Sequence, residues 1–552
     1  MAVYSSRLIK VCGLFLFISL ALIGRLVFLQ VIDGSELALE GLSGRIREIP
    51  GPQERGQIFD RHQQLLTNRD FYYHIVVFPS LSLQAESVRQ ALTTVLTREQ
   101  LAEVLELTQA KQPGESSFTV SDAVMHYINE EAHQVGILAV KENVRYNSDN
   151  IASHVIGYVN ADNRGVTGVE AIYDDLLSSQ RHQYMAALVD ASEQVIPGLG
   201  YKELRLGSGG EPSNLVLTLD ADIQRQVEQT VDKYMKKGAV VVMQPTTGEI
   251  LAMVSRPNYN NNNVAEALHQ ENSPLLNRAV SAFQPGSVFK LVVAAAALEN
   301  GLVKPEQTFY DHGYIDINKV RFNGWDYEQS PRGLITFQDA LAYSSNPVFI
   351  EVGQQVGAER LLAYARKLGF GQRTKLNFDG EVEGNLPAAD KVFAADLANL
   401  SIGQGTCETT PVQMAALVAT IVNNGIKVEP SIVKKIVSAQ GITLKQNDLQ
   451  LSNRVLSKAT CQQLKSMMTA VTKYGTGQAA YIPEFGSAGK TGSAETGRLD
   501  GKGNSINHAW FAGYAPLANT KYVVVVFVEE GHSGGDVAAP LFQAITAALL
   551  SN

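Results

Sequence analysis

The stretch "LIKVCGLFLFISLALIGRLVFLQVI", Leu8 to Ile32, limits this chain more than any other feature. Crossing the hydrocarbon layer of a bilayer as a helix takes about 20 apolar residues. From Val11 onward the run carries Arg25 as its one charge, and an arginine near the far end can extend its head group to the interface. Arg7 and Lys10 lie at its start with no acid before them, so the N-terminus is expected to stay on the cytoplasmic side. A cleaved signal peptide is the rival reading. No small-x-small site directly follows Gly24, which favours an uncleaved anchor. No second comparable span follows, so the rest of the chain is expected to fold outside the cytoplasmic membrane.

The 552 residues exceed one ordinary core, so two or more domains are expected. Hydrophobic content of 45% against 18% charged is that of a folded protein. A net charge of −9 gives no general attraction to nucleic acid or anionic lipid. Cys12, Cys407 and Cys461 form no C-x-x-C pair and no metal cluster, and Cys12 lies in the apolar start. At most one bridge, between Cys407 and Cys461, remains open, and a disulfide scaffold is excluded.

Residues 33–215 are mixed in pattern. "FYYHIVVFP" reads as a strand, and "SVRQALTTVLTREQLAEVLEL" has helical spacing. No nucleophile, base and oxyanion donor gather here, so this part reads as a scaffold. Gly198 to Asn214 reads as a linker. After it, "LVLTLD" is a strand, "ADIQRQVEQTVDKYMKK" an amphipathic helix stopped at Gly238, and "AVVVMQPTTGEILAMVS" two strands around a turn. At the far end "HAWFAGYAP" and "KYVVVVFVEEG" are strands and "AAPLFQAITAALL" a helix. Strands at both ends with helices between predict one α/β unit whose sheet joins its two ends. "NYNNNNV" is the one low-complexity patch and reads as a surface loop.

The chemistry centres on "QPGSVFK". Pro285-Gly286 supplies a turn, "LVVAAAALEN" a strong helix, and Asn300-Gly301 its stop. Ser287 is then expected at a helix N-terminus, where free N–H groups and the dipole favour negative charge, with Lys290 one turn on. A lysine in apolar surroundings loses basicity and can act as a base. A capping serine and a solvated lysine fit the same letters. S-x-x-K also recurs at Ser431 to Lys434 and Ser487 to Lys490, so the match alone decides nothing. Two further groups decide: "SSN", Ser344 to Asn346, ending an apolar helical pattern, and "KTGS", Lys490 to Ser493, before the terminal strands. S-x-x-K, S-x-N and K-T-G in this order mark penicillin-recognising serine enzymes.

With these motifs the chain resembles the class B penicillin-binding proteins, membrane-anchored peptidoglycan transpeptidases. "RGQIFDRHQQLL" matches their N-terminal R-G-x-I-x-D-R-x-G pattern, with Gln63 where glycine is usual, and "HVIGYV", "GVTGVEAIYDDLL", "SIGQG", "TPVQMA" and "WFAGYAP" match further stretches. The resemblance implies an α/β (α+β) fold: a penicillin-binding-protein/β-lactamase-like transpeptidase domain at 216–552, a mixed α+β pedestal at 33–215 and one transmembrane helix within 1–32. It implies that Ser287 attacks the penultimate D-Ala carbonyl of a stem peptide and that neutral Lys290 takes its proton. Ser344 would pass the proton to the leaving amine, and Asn346 would hold the donor amide and Lys290. Lys490 would supply fixed positive charge to the terminal carboxylate, and Thr491 a hydroxyl. Gly492 would leave room for substrate along the edge strand, and the N–H groups of Ser287 and Ser493 would form the oxyanion hole. It implies no metal and no cofactor. The implied partners are stem peptides, β-lactams and a membrane glycosyltransferase, in a single-pass protein of the bacterial cytoplasmic membrane. A D,D-carboxypeptidase, a serine β-lactamase or β-lactam sensor, and an inactive scaffold are the alternatives. His154, His508 and His532 are expected to be structural, Asp60 and Arg61 turn or salt-bridge residues, and "SIGQG" a floor to the site.

Overall fold

A computed structural model of the protein describes residues 2–29, 46–50, 54–78, 85–110, 112–132, 136–179, 182–188, 201–206, 210–327, 331–447 and 451–551. Residues 2–27 form one helix, Ala2–Val27. At about 1.5 Å per residue its length is about 39 Å, more than the ~30 Å hydrocarbon layer. A helix satisfies its backbone internally, and Lys10–Val27 is apolar and unburied throughout, so it fits a single-pass anchor. Residues 30–32, the end of the expected span, lie outside the described residues.

The chain divides into two compact units. The first comprises residues 1–54, 71–144 and 180–210. The expected strand Phe71–Val77 is the centre of an antiparallel sheet, between Gly114–Val120 and Ile137–Asn143. The helical pattern that follows is two helices, Ala85–Leu92 and Arg98–Thr108, because Thr97 and Gln100 form a capping box that starts the second. Their apolar faces meet the sheet through Ile75, Val77, Val88, Leu92 and Val104. A second antiparallel sheet joins Ile46–Pro50, His182–Leu188 and Tyr201–Leu206. The expected linker therefore contains a strand over Tyr201–Leu206, which pairs along its length with the strand His182–Leu188. Residues 198–200 and 207–209 of that linker lie outside the described residues.

The second unit comprises residues 55–70, 145–179 and 211–552. Its central sheet is antiparallel, in the order Ile250–Arg256, Gly238–Met243, Tyr522–Val528, Ser505–Ala515, Ala488–Leu499. Strands from 238–256 and 488–528, the early and late parts of the α/β unit, thus meet in one sheet, as expected. Valine runs suit these strands because both faces are buried. Val241, Met243, Val523, Val525 and Phe527 face a core shared with the helices Lys290–Glu299 and Pro411–Val422, while Val240, Val242, Val524 and Val526 face Ala539–Leu550. Ala488–Leu499 is left as the edge strand, open on one side.

A buried ionic cluster ties the segments 55–70 and 145–179 of this unit to each other. Arg55 pairs with Glu170 at 2.6 Å and Asp174 at 2.8 Å, and Arg145 reaches Glu170 at 2.7 Å. Asp60 is a turn residue: its carboxylate accepts from the N–H groups of His62, Gln64 and Ala221. Gln63, where the family pattern has glycine, sits at φ +67°, the left-handed region glycine favours. The asparagine-rich stretch is a clamp rather than a plain surface loop. Tyr259 and Asn261 donate to the Ser153 carbonyl, Asn261 also to Gly157, and Asn262 to Tyr146. These side chains thus tie the stretch to the backbone of residues 146–157. Cys407 and Cys461 are buried and unbridged.

Candidate active site

Gly286, at φ +54°, makes the turn before Ser287, and a Cβ there would lie 2.5 Å from the Ser493 carbonyl. The turn is held from behind, since the Gly286 N–H donates to the Gly403 carbonyl at 2.9 Å. Gly403 has no room for a side chain against Gly286, so "SIGQG" does form a floor under the turn. Ser287 lies on a 3₁₀ turn, Gly286–Phe289, and the α-helix begins only at Lys290. The expected α-helical N-terminus is thus one tight turn, which brings the Lys290 N–H onto the Ser287 carbonyl. No side chain caps the turn or the helix, so the Ser287 hydroxyl is not spent as a cap.

Residues Lys290 to Leu298 are all buried, which explains the unbroken Ala/Val run. Inside this wall Lys290 Nζ donates to the Ser344 carbonyl and to Asn346 Oδ1, both at 2.7 Å, and lies 3.2 Å from Ser344 Oγ. Burial holds Lys290 well below the ordinary lysine range, and the nearby Lys490 pushes the same way against Asp311 and Asp326.

The helix Phe337–Ala342 ends just before Ser344, which turns the chain at φ +60°. Ser345, the middle residue of the S-x-N group, caps the next helix, Asn346–Val356, through the Val348 N–H. Its own hydroxyl donates to Asp311 at 2.6 Å. Asn346 donates to the Asn323 carbonyl at 3.2 Å, so its amide is gripped at both ends.

From the edge strand, Lys490 Nζ donates to Ser344 Oγ at 2.9 Å and to the Thr491 carbonyl at 2.9 Å. Ser344 Oγ therefore lies between two lysine nitrogens. Burial pushes Lys490 down to about 7. A carboxylate arriving at Lys490 would favour its charged form against that burial. The room left by Gly492 is also used differently. A Cβ there would meet the Pro285 carbonyl at 2.8 Å and Val288 at 3.1 Å, because strand alternation turns this position toward the nucleophile turn. Ser493 is exposed, and its Oγ accepts from the Gly534 N–H at 3.1 Å. Ser287, Lys290, Ser344, Asn346, Lys490, Thr491, Gly492 and Ser493 thus meet where the edge strand passes the nucleophile turn.

Sequence reading missed Thr476, whose Oγ1 is 2.6 Å from Thr491 Oγ1, and the supports Asp311, Asn323 and Gly534. The "YGTG" turn was a signal for the first; the others carry no local mark. His154 is buried, bonded to the Pro274 carbonyl and pushed down by burial to about 4. His508 packs among Phe283 and Phe527. Among the described residues no group of His, Cys, Asp and Glu is placed to hold a metal ion.

Residues 238–547 match the penicillin binding protein transpeptidase domain family and residues 50–200 the penicillin-binding protein dimerisation domain family. Stage V sporulation protein D of Bacillus subtilis is 30% identical over 94% of this chain and 81% of its own length. The peptidoglycan D,D-transpeptidase MrdA of Acinetobacter baumannii is 27% identical over 97% of this chain and 86% of its own. Among solved structures, penicillin binding protein 3 of Mycobacterium tuberculosis complexed with ampicillin aligns with a TM-score of 0.65 at 26% identity, covering 92% of this chain and 96% of that one. A chain from a peptidoglycan synthase complex aligns at 0.75 and 28%, covering 98% of both. With a transpeptidase domain behind a dimerisation domain, the chain belongs to the class B penicillin-binding proteins.

Proposed function

We propose that the protein is a serine-type peptidoglycan D,D-transpeptidase, anchored by residues 1–32, with a pedestal at 33–215 and a catalytic domain at 216–552. The observation that carries this reading is the convergence of Lys290 and Lys490 on Ser344 Oγ inside a buried site. A neutral amine has two N–H bonds, and the Ser344 carbonyl and Asn346 Oδ1 at 2.7 Å take both from Lys290. The lone pair is left for a hydroxyl proton.

Ser287 Oγ attacks the penultimate D-Ala carbonyl carbon and its proton passes to Lys290. The oxyanion is met by the N–H groups of Ser287 and Ser493. When the C–N bond breaks, the terminal D-Ala amine takes a proton through Ser344, leaving an ester on Ser287. The amine of a neighbouring stem peptide attacks that ester, an amide cross-link forms, and Ser287 recovers its proton. Lys490 and Thr491 receive the substrate carboxylate, and Asn346 the donor amide. A β-lactam opens in the same way, but its leaving nitrogen stays tethered and the ester persists. The likeness to penicillin binding protein 3 complexed with ampicillin supports this inhibition, and the likeness to a chain of a peptidoglycan synthase complex supports a membrane glycosyltransferase partner. Arg7 and Lys10 before the span support an N-terminus inside the cytoplasmic membrane and a catalytic domain outside.

The test uses full-length protein in detergent with labelled penicillin. Wild type is expected to carry one label, on Ser287, and Ser287→Ala none. Stoichiometric labelling of Ser287→Ala would place the nucleophile elsewhere. Rapid release of the label would point to a β-lactamase.

A further inference from the structure

We propose that Asp311 is a positioning residue of the reaction centre, which anchors the turn Ser344–Asn346 and sets a buried negative charge near Lys290. This rests on the transpeptidase reading and adds to the site a residue that lies outside all three sequence motifs.

Asp311 ends the strand Thr308–Asp311 and is buried. Its Oδ1 accepts the Gly313 N–H at 2.7 Å, and its Oδ2 the Ser345 hydroxyl at 2.6 Å. Ser345 is the middle of a turn whose two flanks do the chemistry. Ser344 gives its carbonyl, and Asn346 its Oδ1, to Lys290 Nζ. Ser345 Oγ also accepts the Val348 N–H at 3.3 Å, so one hydroxyl ties the carboxylate to the start of the next helix. Ser344 lies at φ +60°, a backbone that serine adopts only at a cost and that its surroundings must hold. Asp311 supplies that hold from outside the turn.

Burial and then Lys490 lower the proton affinity of Lys290, and two carboxylates, Asp311 and Asp326, oppose them. The two carboxylates are not equivalent. Arg332 pairs with Asp326 at 2.6 Å, so at a distance those two charges largely cancel. Asp311 is held by two neutral donors and, among the described residues, touches no cation. Other charges near Lys290 are turned away. On the helices packed against Lys290–Glu299, which are Asn346–Val356, Ala358–Lys367 and Lys458–Lys473, the charged side chains are exposed except Lys465, which donates to Asn424. With no negative charge nearby, Lys290 would be too weak a base to take a serine proton. In contact with a carboxylate it would keep its own proton. A carboxylate held back behind Ser345 lies between these extremes.

The experiment measures the second-order acylation rate of the full-length protein by labelled penicillin from about pH 4.5 to 8. Asp311→Asn removes the charge and keeps the shape. Its amide oxygen can stay on the Gly313 N–H while its amide nitrogen donates to Ser345 Oγ, which has a lone pair to accept it. Ser345→Ala removes the anchor and keeps the charge. The wild-type rate is expected to fall on the acid side as Lys290 gains a proton. Asp311→Asn removes a charge that favours the protonated lysine, so the midpoint of that fall should move about one unit to lower pH. Its rate at neutral pH should drop about threefold, because the base is weaker. Ser345→Ala should slow acylation about three- to tenfold at every pH and leave the midpoint in place. An unmoved midpoint in Asp311→Asn would overturn the proposal, as would an equal movement in both variants or a wild-type profile with no acid fall. A wild-type protein that penicillin does not acylate would overturn the transpeptidase reading and this proposal with it.

Discussion

Two clusters of charged residues are buried in the second unit, and they are built on opposite rules. At Arg55, Arg145, Glu170 and Asp174 every charge has a counter-charge within 2.8 Å. Burial alone would lower Arg55, but Glu170 and Asp174 outweigh it and raise it further. At Lys290 and Lys490 the partners are hydroxyls, carbonyls and an amide, and among the described residues neither lysine forms an ion pair with a carboxylate. Burial there outweighs Asp311 and Asp326 at Lys290 and is unopposed at Lys490, and both lysines fall below their ordinary range. A paired cluster holds two stretches of chain together whatever the solution does. An unpaired one is left responsive to a proton or an anion, which is what acid–base chemistry requires.

Substitutions at the two clusters should therefore act on different properties. The largest effect is expected at Lys290. Arginine stays charged, so Lys290→Arg should be nearly as inactive as Lys290→Ala, with acylation by penicillin reduced at least about 10³-fold. Arginine rescue at Lys290 would show that charge, and not a neutral amine, is what position 290 supplies. In the paired cluster, Glu170→Ala leaves Arg145 without its carboxylate and Arg55 with Asp174 alone, and should lower stability by about 3 kcal/mol in thermal or denaturant unfolding. Acylation of the folded fraction should be near normal, and a matching loss of chemistry in folded protein would erase the distinction between the clusters.

Lys490 allows the comparison to be sharpened by sign. Lys490→Ala should slow acylation about ten- to a hundredfold, with part of the rate restored in Lys490→Arg. Lys490→Met should raise the melting temperature, because an uncompensated buried cation gives way to an apolar chain. Arg55→Met should lower it. The same residue gives a pH prediction. Lys490 binds its proton below about 7 and loses it as pH rises. The second-order acylation rate by a carboxylate-bearing penicillin should therefore fall on the alkaline side of that value, and Lys490→Arg should remove the fall. Stability runs the other way. The unfolded lysine keeps its proton up to its ordinary, higher pKa, so stability rises with pH from about 7 toward that range. The smallest effect is expected at Gln63, exposed and at φ +67°. Gln63→Gly should relieve the left-handed backbone and stabilise by about 0.5–1 kcal/mol, with acylation unchanged.

What the sequence determined by itself is what short range can encode. The apolar run from Leu8, the valine strands and the three motifs are each contained in a few adjacent residues, so a helix apolar enough to span a bilayer, the fold class and the motif residues of the candidate site could be read. Local patterns failed where a long-range partner decides a residue's state. Tyr201–Leu206 became a strand because His182–Leu188 lies beside it, and the asparagine stretch became a clamp because residues 146–157 present it with carbonyls. The direction of the missing Gly492 side chain depends on strand register, and Asp311 reaches Ser345 across 34 positions of sequence. Only the tertiary structure set the protonation of the two lysines. A side chain's proton affinity depends on how much water it has lost and which charges stand within a few ångströms. The letters K290 and K490 hold neither quantity; the helices packed around Lys290–Glu299, and the turn Gly286–Phe289 and helix Lys458–Lys473 packed on the edge strand, supply both.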